Sequence, residues 1–310
     1  MKKTYIVILI LFISTILFPY NLHANTCPAA PSNGIVHIKL IGASGIGNRI
    51  KNIISHLRYF KPKHINLYWD KIGWVSASFF DLFSPSWDVN ITEYNSQNLI
   101  YQLFDYYEPL YPYINTYSLI VAENEFKDQK HQFIDSKYND IPSEIISLYT
   151  PYFQKLHPSK KVKERIKQIT LPKNYVSIFF RNAPDWNKYF NGNENEESFF
   201  EIMDKFPNNT MFYLSTLSKE TALPFYKRYP GRIIELPNKN YSSMIDATAD
   251  LYILGKSSTG IYSIGSSFSE VAWWLGGAKQ KVITVGSTKH WQHYITERKL
   301  EVLPSIPCKK

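Results

Sequence analysis

The sequence predicts an α/β protein built from two Rossmann-like, doubly wound domains facing across a cleft. Three observations lead to the α/β reading. In the second half, five short apolar runs (175–180, 210–214, 232–236, 260–264 and 281–285) alternate with four helical patterns (197–206, 218–229, 241–255 and 267–276). In the first half, the β-rich run Val36–Ile41 feeds a glycine-rich loop and then a helical pattern. The chain has 310 residues, of which 44% are hydrophobic and 16% aromatic, so it can fill two cores and is not disordered by composition.

Residues 1–24 stand apart from the fold. Lys2 and Lys3 precede an apolar stretch, Tyr5–Phe18, which is too short for a membrane span. Leu22-His23-Ala24 offers a cleavage site before Asn25. The expectation is export by a signal peptide, to the outside, a periplasm or a secretory lumen. An uncleaved N-terminal membrane anchor is the alternative. Cys27 and Cys308 are the only cysteines and lie near the two ends of the mature chain. After export a disulfide between them is expected, with two free thiols as the alternative.

The first domain is expected over 25–165. Its strand at 35–41 runs into Gly42, Gly45 and Gly47, and Asn48-Arg49 opens a helix with Ile50, Ile53, Ile54, Leu57 and Phe60 on one face. The order GxxGxG is not the dinucleotide fingerprint, and a tight βα turn would read the same way. A strand at 64–69 ends at Asp70, a carboxylate at a strand's C-terminal end. The aromatic, proline-rich tract Asp81–Tyr117 reads as irregular, and a further strand is expected at 117–122. A helix follows Pro142, Pro158 interrupts it, and Val162, Ile166 and Ile169 mark a second helix that Pro172 ends.

The second domain is expected over 166–310. Arg181 closes its first strand, where open parallel sheets bind ligands. A guanidinium there suits a diphosphate through two parallel bonds; pairing with Asp185 is the alternative. Ser215 and Thr216 are read as following a strand, either contacting a nucleotide or making a simple turn. Asp250 falls in a helical pattern, either at a ligand, on a solvated face or paired with Lys256. Ser266, Ser267, Phe268 and Ser269 lie between the apolar run Ile261–Ile264 and the helix carrying Val271, Ala272, Trp274 and Leu275. A strand, a polar turn and a helix N-terminus form an anion site, although a plain serine cap leaves the same pattern.

Three segments, in order along about 35–290, carry a family resemblance. Gly45-Ile-Gly-Asn-Arg49 resembles the Gly-Leu-Gly-Asn-Arg segment of the α1,6/nodulation and protein O-fucosyltransferase superfamily. Val176-Ser-Ile-Phe-Phe-Arg181 is similar to its arginine-bearing donor strand, with Phe179 where His is common and Asn182 where a second Arg is usual. Asp250-Leu-Tyr-Ile-Leu-Gly-Lys256 with Ser263–Glu270 resembles its C-terminal donor signature. The resemblance implies the GT-B architecture for the two facing domains, and an inverting, metal-independent glycosyltransferase that uses GDP-fucose to modify a hydroxyl of a glycan or glycoprotein. It places Gly45, Gly47, Asn48, Arg49, Arg181, Ser215, Thr216, Asp250, Ser266, Ser267, Phe268 and Ser269 around the donor.

An inverting transfer needs a base or positioned carboxylate for the acceptor hydroxyl. Asp185 is the first candidate and Asp70 the second, while Arg181 serves the leaving diphosphate. Trp186 and Tyr189 are placed to stack on a sugar, with core packing as the alternative in a chain of 7 Trp and 23 Tyr. The histidines are isolated, so no cofactor metal is expected. No Gly-x-Ser-x-Gly elbow occurs, which leaves a serine hydrolase without support. The net charge of +9 comes from scattered lysines without a recognition motif, which argues against nucleic acid and fits attraction of a nucleotide-sugar donor. A non-catalytic, secreted carbohydrate- or nucleotide-binding protein on the same fold is the competing reading.

Overall fold

In the computed structural model, the described residues are 33–40, 45–69, 71, 75–95, 143–182, 195–263 and 266–286. The expected strand at 117–122, the two cysteines, Asp70, Asp185, Trp186 and Tyr189 lie outside them.

Strand β1 (Ile35–Leu40) leads to helix α1 (Ile46–Phe60) and strand β2 (His64–Trp69). Along β2, burial alternates residue by residue, with Ile65, Leu67 and Trp69 fully inside. Helix α1 lays Ile46, Ile50, Ile53, Ile54 and Leu57 against them, the stripe its sequence spacing predicts. It stops at Lys61, whose left-handed backbone (φ 47°) lets its N–H donate to Leu57 O.

The tract read as irregular contains structure. Helix α2 (Phe79–Leu82) runs into strand β3 (Phe83–Pro85), and strand β4 (Asn90–Asn95) follows. Strand β4 pairs in parallel with β2, giving a sheet ordered β1-β2-β4. Its sequence, Asn-Ile-Thr-Glu-Tyr-Asn, has no apolar run: Asn90 is exposed and Ile91, Thr92, Glu93 and Tyr94 are half-buried. Helix α3 (Ser143–Gln154), strand β5 (Leu156–Pro158) and helix α4 (Lys160–Lys167) come next. The interruption expected at Pro158 is β5, antiparallel to β3. Ser159 caps α4 through Val162 N–H.

The second half matches its pattern closely. It comprises β6 (Val176–Phe180), α5 (Glu196–Met203), β7 (Phe212–Thr216), α6 (Lys219–Arg228), β8 (Ile233–Ile234), α7 (Met244–Lys256), β9 (Thr259–Ser263), α8 (Ser267–Leu275) and β10 (Lys281–Val285). The sheet is wholly parallel and ordered β10-β9-β6-β7-β8. Chain order therefore reverses between β6 and β9, the switch point where such sheets bind ligands. Val176, Ile178, Phe180, Phe212, Leu214 and Ile261 face α5 and α6, while Phe179, Tyr213 and Tyr262 face the other way, into the core shared with α7 and α8.

That larger core joins the two sheets, running from β1 and β2 through α1, α3 and α8 to α7. Helices α7 and α8 touch backbone to backbone: a Cβ on Gly255 would meet Ala272 O, and one on Gly276 would meet Gly255 O. Inside the core, His56 donates its Nδ1–H to Asn52 O over 2.8 Å, and burial pushes its pKa down to about 4. The unfolded chain takes that proton near the ordinary value of 6.5, the folded chain only near 4. Stability is therefore full above about pH 6.5 and falls as pH drops toward 4, by about 3 kcal/mol in all. Urea melts of wild type and His56→Gln between pH 7.5 and 5 test this. The wild type should lose stability faster than the variant, and parallel curves would refute a neutral buried imidazole.

Candidate functional site

At the switch point, β6 ends at Arg181 and β9 ends at Ser263. The backbone N–H of Arg181 donates to Ser263 Oγ over 2.8 Å, tying the two strand ends together. Arg181 is half-buried at this edge. Ser263 carried no site role in the sequence reading, because nothing in the sequence shows that its hydroxyl faces a strand 82 residues earlier.

Helix α8 starts just beyond. Ser266 is its cap residue by position, yet its side chain makes no capping bond. The residue is 4% exposed, and its Oγ finds no hydrogen-bond partner among the described residues. Ser269 donates its hydroxyl to Ser266 O over 3.1 Å. Helix α1 starts at Gly45, which has no side chain to cap with. Asn48, in its first turn, also has a buried oxygen, Oδ1, without a partner among the described residues. First-turn N–H groups have no intrahelical acceptor, so two helix N-termini lack their usual side-chain caps.

These two ends abut. A Cβ placed on Gly47 would lie 2.4 Å from Ser267 O and 2.7 Å from Phe268 N. The glycine segment of the first sheet and the serine turn of the second are therefore one locus. Two positive helix ends side by side favour an anion between or above them. Above Gly45, no atom of the described residues lies within 4 Å of a Cβ built there. Arg49 is fully buried, with its guanidinium carbon 5.0 Å from the centre of the Trp69 ring at the C-terminal end of β2.

Phe268 is half-buried and stacks on Phe179, with centroids 4.8 Å apart and 28° between planes. Phe179 is 3% exposed. The Phe179 ring, where the resembled superfamily commonly has histidine, therefore packs against the first turn of α8.

One turn into each helix, Lys51 Nζ and Glu270 Oε2 form an ion pair over 2.5 Å, the side chains 1% and 4% exposed. Trp274 Nε1 donates to Glu270 Oε1 over 3.2 Å, and its ring stacks on Phe153 at 5.3 Å. Burial raises the Glu270 carboxyl's pKa, against the pull of Lys51. Sequence reasoning missed this pair because its members lie 219 residues apart.

Ser215 and Thr216 lie within β7, at its C-terminal end, and are buried; the expected strand was set about two residues too early. Thr216 donates to Ser218 O over 3.0 Å. Ser215 donates to Asp250 Oδ2 over 2.7 Å, and Tyr213 donates to Asp250 Oδ1 over 2.5 Å. Asp250 is 2% exposed and pairs with Lys239 at 2.8 Å, so it neither lies on a solvated face nor pairs with Lys256. Burial first, then the Asp250 charge, raises the Tyr213 pKa well above its usual value. Asp250 thus holds β7, α7 and the segment after β8 together.

Among the described residues no His, Cys, Asp and Glu cluster is placed to hold a metal ion, and no helix is long and apolar enough to cross a membrane. The candidate carboxylates Asp70 and Asp185 lie outside the described residues.

The fold is α/β of the GT-B type, and two helix N-termini without side-chain caps meet beside its topological switch point. No protein-family model matches the sequence, and no curated protein matches it. Solved structures do. The chain resembles POFUT1 in complex with GDP-fucose at 12% identity and TM-score 0.51, covering 84% of this chain and 100% of that one. It also resembles the fucosyltransferase NodZ from Bradyrhizobium, at 12% identity and TM-score 0.48, covering 77% of this chain and 92% of that one. A NodZ alpha-1,6-fucosyltransferase soaked with GDP-fucose gives 13% identity and TM-score 0.47, over 78% and 92%. At 12% identity, what the chain shares with POFUT1 is the fold.

Proposed function

We propose that the chain is a metal-independent, inverting glycosyltransferase with GDP-fucose as donor and a glycan or protein hydroxyl as acceptor. The observation behind this is the meeting of two uncapped helix N-termini at Gly47 and Ser267, beside the Arg181–Ser263 strand ends. The acceptor oxygen attacks the anomeric carbon as the bond to the diphosphate breaks, and the acceptor proton passes to a carboxylate. Asp185 is the first candidate for that base and Asp70 the second. Charge grows on the departing diphosphate, where Arg181, the Ser266 and Ser267 hydroxyls and the helix N–H groups stabilise it in place of a metal. Asn48, open to hydrogen bonding at Oδ1, serves the donor. Residues 1–24 direct export in this proposal.

A second reading, a binding protein without catalysis, draws on Phe179. Its ring is committed to Phe268, so that position offers the donor no polar group. Release of fucose or its transfer from GDP-fucose, followed over time, separates the two readings.

Calorimetry of the full chain against GDP, GDP-fucose, GDP-mannose and UDP tests the site. Guanine nucleotides should bind and UDP should bind more weakly. Arg181→Lys keeps the charge but loses the forked geometry, and should weaken GDP binding by about 1.5–3 kcal/mol. Unchanged affinity in a folded variant removes Arg181 from the site.

A further inference from the structure

The Lys51–Glu270 pair does more than fill the core. A buried ion pair is poor stabilisation, since matched apolar side chains in its place are often neutral or better. Its position is therefore informative. Lys51 follows Gly47 by four residues and Glu270 follows Ser266 by four, so each lies one turn below a site residue on its own helix. The pair spans the same α1–α8 contact that Gly47 makes with Ser267, one turn deeper. Glu270 is fixed from both sides, Oε2 by Lys51 and Oε1 by Trp274, whose ring is stacked on Phe153 of α3. Apolar side chains at these positions would allow more than one packing of the helices along their axes, because cores of about the right volume lose uniqueness before they lose stability. A short, directional charged bond fixes one.

We infer that Lys51 and Glu270 are positioning residues that set the axial register of α1 against α8, and with it the spacing of the two helix N-termini that receive the diphosphate. This rests on the site reading proposed above.

The test compares GDP affinity with thermal melting in full-length variants. Lys51→Met with Glu270→Gln removes both charges and leaves an acceptor for Trp274. It should keep a cooperative melt while GDP Kd rises about tenfold or more, the sensitivity expected of a misplaced binding group. Glu270→Asp keeps the charge but shortens the link by one carbon, and its Kd should rise several-fold even if the double variant does not fold. Folded variants with wild-type GDP Kd would overturn the register role and leave the site reading standing. Wild-type protein that takes up neither GDP nor inorganic pyrophosphate would overturn the site reading, and this inference with it.

Discussion

Asp250→Ala should cost about 3–5 kcal/mol of folding stability, because it leaves a buried cation without its nearest counter-charge. Lys239 would retain only Glu235, at 3.6 Å, and the Tyr241 ring at 4.9 Å. Tyr213 and Ser215 would lose their acceptor inside the core, and each unsatisfied hydroxyl adds to the loss. Asp250→Asn should cost less, since its amide oxygen still accepts one of the three donors. Urea denaturation read by tryptophan fluorescence measures both. A folded Asp250→Ala of wild-type stability that fails to bind GDP would show that the carboxylate faces a ligand and not the scaffold. The expected order is the reverse, with stability lost first and GDP affinity following the folded fraction.

Asp250 also shows how far sequence carries. Its helix was legible from the spacing of Leu251 and Leu254, and its motif from the residues around it. Its partners were not, because Tyr213, Ser215 and Lys239 come from a strand and a loop that only the sheet order brings together. The central parallel strands of the second half, β6, β7 and β9, were legible because they are buried on both faces and read as apolar runs. Strand β4 was not, because it is half-buried and polar. The two phosphate-type turns could each be read from glycine, serine and a following helix. Their meeting could not, since no residue pattern encodes which helix packs on which. Ser266 has the appearance of an ordinary cap in the sequence; only the structure shows that its hydroxyl caps nothing.

Gly47→Ala is the sharpest test of that meeting. The added methyl would sit 2.4 Å from Ser267 O, 2.5 Å from its carbonyl carbon and 2.7 Å from Phe268 N. All three are backbone atoms, so no rotamer change relieves the clash, and α1 and α8 must move apart. Overpacking of this kind costs about 1–3 kcal/mol, against less than about 1 kcal/mol regained from alanine's better helix propensity. Separation also stretches the Lys51–Glu270 pair one turn below. The expected result is a modest fall in melting temperature and a loss of GDP affinity of about a hundredfold, as small displacements of a preorganised site allow. Gly45→Ala provides the control. Its backbone (φ −69°, ψ 169°) suits any residue and its Cβ would meet no atom of the described residues within 4 Å, so stability should change by no more than about 1 kcal/mol. If a ligand fills the space above Gly45, that methyl will weaken GDP binding without weakening the fold. Gly47→Ala that melts and binds like wild type would mean that α1 and α8 do not touch there, and the anion site built on their contact would fall with it.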